Sequence, residues 1–266
     1  MDDFSSSFQK IIGVYSPLQA KILNSLNCQA LWVSGFGISH DRYGLPDLDI
    51  ISYSEKLESQ KIIIESTSAK SIVDIDNGIY NKAAFRKYIE TLNEAKPFGI
   101  CIEDERHPKI SALYSKSSGL MDADEFLSYL SIIKNHSSSK IFARTNTLTR
   151  NEPTKERHRK IDALLDFGID TLVLHTKNLS ELKSFCDQYA TKFKIYVITS
   201  LLDEVKIDDF INMGINGAIL GHHLFFHNLD SQMAFASSIL DNEVIPSINI
   251  ESREKLNQVI DKREWI

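Results

Sequence analysis

Eight short apolar runs, spaced along the whole chain, constrain the fold more than any other feature. They cover 11–15, 30–34, 71–76, 99–103, 140–144, 171–175, 194–199 and 217–221. Each is near-continuously apolar, the pattern of a parallel strand covered on both faces. Between and after them lie segments with helical spacing at 18–26, 54–64, 82–92, 122–133, 154–167, 179–189, 203–213 and 229–240. Asn81 is an N-cap for the third of these, and Gly168 and Gly214 stop the fifth and seventh. Strands alternating with helices predict an α/β fold, a (β/α)8 TIM-type barrel spanning residues 1–266 as one domain. An open doubly wound sheet is the alternative, weakened because no Gly-x-Gly-x-x-Gly turn follows the first strand. A further amphipathic stretch, 250–262, follows the eighth helix and needs a surface to dock on, its own barrel or a neighbour's.

Composition narrows the setting. A net charge of -6 provides no general attraction to nucleic acid or to an anionic membrane. No apolar run reaches the roughly 18 residues that span a bilayer. The first residues, Met1-Asp-Asp-Phe-Ser-Ser-Ser7, are acidic and short of apolar side chains, unlike a signal peptide. Cys28, Cys101 and Cys186 are odd in number and lack metal-ligand spacing. They read as core residues of a protein in a reduced, cytoplasmic compartment.

In a barrel, chemistry collects at the C-terminal strand ends. Those ends carry Trp32 to Gly37, Asp74 and Asp76, Glu103 and Asp104, Arg144 and Asn146, His175 and Lys177, Thr199 and Ser200, and Gly221 to His223. Residues two apart on a strand share a face, so Asp74 and Asp76 are expected to converge. Carboxylates at the ends of buried strands are costly without a cation, and hard oxygen ligands suit Mg²⁺. Asp74, Asp76 and Glu103 are therefore the expected metal ligands. Arg144 offers a planar fork to a carboxylate or phosphoryl group, and His175 a further donor to developing charge. The turn Ser34-Gly35-Phe36-Gly37 leaves backbone N–H groups open to a carboxylate. The substrate expected is a small anionic acid. His222 and His223 read as packing or surface residues. Two segments exceed ordinary loop length, 35–51 and 105–121; the second leaves the same mouth as Glu103 and is a candidate lid.

Taken in order, Trp32-Val-Ser-Gly-Phe-Gly-Ile-Ser39, Gly44-Leu-Pro-Asp47, Asp74-Ile-Asp76, Glu103-Asp104, Ala143-Arg144 and His175-Thr-Lys177 resemble the phosphoenolpyruvate mutase / isocitrate lyase superfamily over residues 10–242. The resemblance implies a barrel that exchanges its last helix with a neighbour in a homodimer or homotetramer, giving the 250–262 helix a home. It implies Mg²⁺ at Asp74, Asp76 and Glu103, with Ser34, Gly35 and Phe36 on the pyruvate-like part of the substrate and Trp32 packed against it. Asp47 matches the aspartate proposed to take part in phosphoryl transfer, and Arg144 and His175 match residues that bind the migrating group and carboxylate. Lys109 matches a lid lysine.

Within the superfamily, Trp32 and His175-Thr-Lys177 resemble the mutase and phosphonopyruvate hydrolase branch. No cysteine lies between Cys101 and Cys186, which disfavours the lyases that use one as an acid. The lid departs from the mutase pattern: Glu105 replaces a lysine, Ser111 an asparagine and Ala112 a serine. Ser111 retains a hydroxyl that can donate. The expected activity is the Mg²⁺-dependent interconversion of phosphoenolpyruvate and phosphonopyruvate, the carbon–phosphorus bond-forming step of phosphonate biosynthesis. The alternatives are a lyase or hydrolase acting on a small 2-oxo acid or substituted malate, such as oxaloacetate or phosphonopyruvate, and a non-catalytic ligand-binding barrel.

Overall fold

The structure, a computed structural model, describes residues 7–110, 118–241 and 250–260. Its eight strands are β1 (Gln9–Val14), β2 (Ala30–Val33), β3 (Lys70–Asp74), β4 (Gly99–Glu103), β5 (Lys140–Thr145), β6 (Thr171–His175), β7 (Lys194–Ile198) and β8 (Gly217–Leu220). They form a closed barrel in sequence order, with β1 pairing in parallel to both β2 and β8. The open-sheet alternative is thereby excluded. Closure needs a glycine: a Cβ on Gly13 would lie 2.1 Å from the Gly221 carbonyl oxygen.

The helices in chain order are α1 (Pro17–Ser25), α2 (Gly35–Gly37), α3 (Tyr53–Glu65), α4 (Lys82–Asn93), α5 (Ala123–His136), α6 (Thr154–Asp166), α7 (Leu179–Tyr189), α8 (Ile207–Asn212), α9 (His223–Asp241) and α10 (Ile250–Val259). Side-chain caps start several of them. Ser52 and Glu55 form a reciprocal capping box on α3, and Asn81, Asp122 and Asn178 accept from the first turns of α4, α5 and α7. Three boundaries differ from expectation. The stretch after β2 is helical, α2 running into a π-helical turn at Ile38–Arg42. Helix α8 is short, and α9 begins at His223 instead of Leu229.

The core has two layers. Inside the barrel, Ile11, Ile72, Cys101, Phe142, Val173, Tyr196 and Ile219 pack against one another. The opposite strand faces, such as Leu31, Val73, Ile100, Ile102, Ala143, Leu172 and Leu174, pack against the helices. The three cysteines are free, Cys101 and Cys186 being buried. Among the described residues no helix is long and apolar enough to cross a membrane.

Candidate active site

Strand parity builds the site. On β3, β4, β5 and β6 the inward residues are Ile72, Cys101, Phe142 and Val173. Two positions further along, on the same face, stand Asp74, Glu103, Arg144 and His175. The apolar layer thus continues upward into a charged one at the mouth, and all four are buried. Trp32 lies in the inner cluster and, with Phe36, Asp47, Lys109, Ile198 and His222, helps to line the space between them.

Arg144 is the hub. One guanidinium nitrogen lies 2.9 Å from Glu103 Oε2, and another 3.8 Å from Asp74 Oδ2. Its Nη2 also stands 3.5 Å from His175 Nδ1. An arginine only donates, so this contact assigns the acceptor role to Nδ1 and the ring proton to Nε2, which faces Ser200 Oγ at 3.1 Å. Burial, reinforced by Arg144, pushes the His175 pKa well below the usual imidazole range. The ring is a neutral donor, not a cation. Asn146 donates to the same Glu103 oxygen, Oε2, at 2.8 Å.

Asp76 does not continue the strand. β3 ends at Asp74, and Asp76 has a left-handed φ of 55°. Its backbone N–H donates to Asp74 Oδ1 at 3.1 Å, closing a turn. The two carboxylates still reach one mouth, through this turn instead of the pleat. The Asp76 carboxylate is clasped by two ammonium groups, Lys56 on one oxygen and Lys109 on the other. A Cβ on Gly35 would come within 3.2 Å of both Asp76 carboxylate oxygens, so the small residue in the Ser34–Gly37 turn leaves room for them. Ser34 Oγ accepts from Gly37 N–H at 3.1 Å, which holds that turn.

The lid meets the site through Lys109. Its Nζ donates to both Asp47 oxygens at 2.7 Å as well as to Asp76. Its backbone N–H donates to Asp49 Oδ2 at 2.9 Å. The lid's base is pinned by Arg106 N–H to the Gly119 carbonyl at 2.9 Å and Met121 N–H to that of Asp104 at 2.7 Å. Glu105 is buried and pairs with Arg150 at 2.6 Å. Ser111 and Ala112 lie outside the described residues. With Lys109 in place the space among the mouth residues is only about 20 Å³, room for about one water.

Electrostatics sort the carboxylates. Burial pushes the Asp74 pKa up to about 6, against the pull of Arg144. Burial acts the same way on Asp47, but Lys109, assisted by Lys56 and Arg144, outweighs it and holds that carboxyl below its usual range. Lys109 in turn is held above the ordinary lysine value by Asp47, Glu103 and Asp74, although burial opposes its charge.

The donor set fits Mg²⁺ in chemistry at two of the three expected ligands. Glu103 Oε1 is a buried oxygen with no hydrogen-bond partner, the kind of orphan that a cation satisfies. Asp74 turns one oxygen to a backbone N–H and the other to a distant arginine nitrogen. Asp76 is committed to the two lysines. Among the described residues, no group of three or more His, Cys, Asp or Glu side chains stands ready to hold a metal ion.

Two residues that support the site do not emerge from strand ends. Lys56 is one. Lys160 is the other, pairing at 2.9 Å with Asp104 Oδ2 behind Glu103. Ser200 orients His175, and His222, read as packing, stands among the mouth residues with a buried, unpartnered Nδ1. One signal was available: a lysine heading the inward stripe of a helix breaks the amphipathic pattern. Lys177 has no hydrogen bond or ion pair assigned to the site.

Comparison with known proteins gives the chain a family. Residues 5–240 match the family model of phosphoenolpyruvate phosphomutase. The phosphoenolpyruvate phosphomutase of Tetrahymena pyriformis is 22% identical over 255 residues, covering 94% of this chain and 84% of the relative. The phosphonopyruvate hydrolase of Variovorax sp. (strain Pal2) is 24% identical over 219 residues, covering 80% and 75%. The crystal structure of phosphoenolpyruvate phosphomutase from Streptomyces platensis subsp. rosaceus superposes with a TM-score of 0.86 at 19% identity, covering 98% of this chain and 94% of that one. The chain belongs to the phosphoenolpyruvate phosphomutase family, within the phosphoenolpyruvate mutase / isocitrate lyase superfamily.

Proposed function

We propose that the protein interconverts phosphoenolpyruvate and phosphonopyruvate with Mg²⁺ as cofactor. The observation that carries this reading is the reach of lid residue Lys109 to Asp47 and Asp76, at the mouth that Arg144 and His175 also face. Two cations and a neutral imidazole donor converge where a phosphoryl group and a carboxylate would both need neutralising.

From phosphonopyruvate, the carbon–phosphorus bond breaks and its electron pair passes into the pyruvate enolate. The phosphoryl group then forms a bond to the enolate oxygen, so that no net proton is moved. In this reading Ser34, Gly35 and Phe36 seat the pyruvate part and Trp32 packs against it. Arg144 and His175 neutralise anionic oxygens, Lys109 follows the migrating group, and Asp47 lies beside it. Asp74 and Glu103 would hold Mg²⁺ directly, with Asp76 nearby. Bound there, the ion would supply Lewis-acid polarisation of the substrate's oxygens. Ser111 is a further candidate donor from the lid.

Purified protein incubated with Mg²⁺ and phosphonopyruvate should give a phosphoenolpyruvate signal in phosphorus NMR. Unchanged phosphonopyruvate after prolonged incubation would overturn the reading. A second reading, hydrolytic cleavage of phosphonopyruvate or cleavage of a related 2-oxo acid, is favoured by Glu105. It is buried against Arg150, where the mutase pattern has a lysine. Release of pyruvate with inorganic phosphate, in place of phosphoenolpyruvate, would select it.

Assembly belongs to the same reading. Helix α9 exposes Phe226, Leu229, Met233, Phe235, Ile239 and Leu240. On the barrel flank, a cavity of about 480 Å³ is lined by Phe8, Phe210, Ala218, Leu220 and neighbouring residues. A homo-oligomer in which copies cover each other's apolar surfaces accounts for both. Among the described residues, exposed large apolar side chains stand on α9 more than on α10, where Leu256 is one.

A further inference from the structure

Lys56 is out of place by every local criterion. It stands in the first turn of α3, where the helix dipole disfavours a cation. It heads the helix's inward stripe of Lys56, Ser59, Gln60, Ile63 and Ile64, positions suited to apolar groups. Its side chain is only 8% exposed, and its partner Asp76 only 2%. A lysine pays a large desolvation cost in such a place unless an opposite charge meets it. Burial, with the neighbouring Lys109, lowers its pKa from the ordinary lysine value against the support of Asp49, Asp47 and Asp74.

Its ammonium contacts Asp76 Oδ2, while Lys109 holds Oδ1. The two lysines differ in how they are mounted. Lys109 stands in the loop that follows β4. Lys56 is anchored in a capped helix packed on the barrel. The mouth therefore has a helix-borne lysine on one of its carboxylates.

We propose that Lys56 sets the divalent-metal affinity of this site, by holding Asp76 as an ion pair so that a metal ion is left with Asp74 and Glu103. This inference rests on the reading that the site takes Mg²⁺. Repulsion between an ammonium and a divalent ion a few ångströms away is large even at an effective dielectric constant of about 20. Replacing Lys56 by a neutral residue releases Asp76 Oδ2 and removes that repulsion. It leaves Glu103 and Asp74 unchanged.

The test is direct metal binding, read by Mn²⁺ electron paramagnetic resonance and by calorimetry with Mg²⁺, on the full chain without substrate. Lys56→Met should bind either ion about ten-fold or more tightly than the wild type. Lys56→Gln should shift in the same direction, and gives a second neutral variant if the methionine form folds poorly. Lys56→Arg, which keeps the charge, should bind like the wild type. Equal or weaker binding by the neutral variants, with the wild type binding normally, would overturn the role of Lys56 and leave the metal reading intact. No binding by any of the four proteins would overturn both.

Discussion

Lys109 Nζ donates to both carboxylate oxygens of Asp47 at 2.7 Å, across 62 residues of sequence. The bidentate contact ties the lid to the loop after β2, and both partners are buried. The same lysine outweighs burial and holds the Asp47 carboxyl below its usual range.

Replacing Lys109 by methionine should therefore lower turnover far more than it disturbs the fold. The loss expected is about 10²- to 10³-fold in kcat, the scale of removing one donor from a preorganised charge-stabilising site. Phosphorus NMR rate measurements at saturating substrate check it, and Lys109→Arg should recover part of the loss.

Lys160 makes a different prediction. Its ammonium neutralises Asp104, a fully buried carboxylate that also accepts from Thr145 Oγ1 and the Asn146 backbone, both at 2.8 Å. Lys160→Met leaves that charge unpaired and should destabilise the protein by about 3–5 kcal/mol. Urea denaturation would register a lower midpoint. Because Asn146 in turn bonds Glu103, activity should fall as well, even below the temperature at which the variant unfolds.

The buried histidines give the fold a definite acid response. Burial and Arg144 lower the His222 pKa from 6.5 to about 4, and His175 is shifted in the same direction. Between those values the unfolded chain binds a proton at His222 that the folded chain refuses. Stability from this residue is complete above pH 6.5 and is lost as pH falls toward 4, amounting to about 3 kcal/mol. Thermal melts from pH 7.5 to 4.5 should show a decline that is shallower in His222→Leu. Parallel curves for the two proteins would refute the assignment.

Exposure of α9 predicts self-association. Light scattering coupled to size exclusion should report at least two chains per particle. Met233→Lys and Phe235→Asp, at positions 64% and 58% exposed, should reduce the mass to one chain or precipitate the protein if those side chains lie between copies. An unchanged oligomer would move the contact elsewhere.

Much of this was written in local sequence pattern. Apolar runs at a βα period determined the barrel, since strands covered on both faces have few other arrangements. The mouth was legible for the same reason: parity carries Ile72 to Asp74, Cys101 to Glu103, Phe142 to Arg144 and Val173 to His175. The cap at Asn81 marked a helix start because its side chain bonds within a few residues.

Tertiary structure alone decided what the carboxylates face. Asp76 looked like a free strand-end ligand; a left-handed turn and two lysines, 20 and 33 residues away along the chain, made it half of a double ion pair. Lys56 was legible only as a break in the inward stripe of its helix; which carboxylate it meets was not. The sign and strength of a buried charge depend on neighbours brought together by closure of the barrel, and no periodicity along the chain encodes that distance.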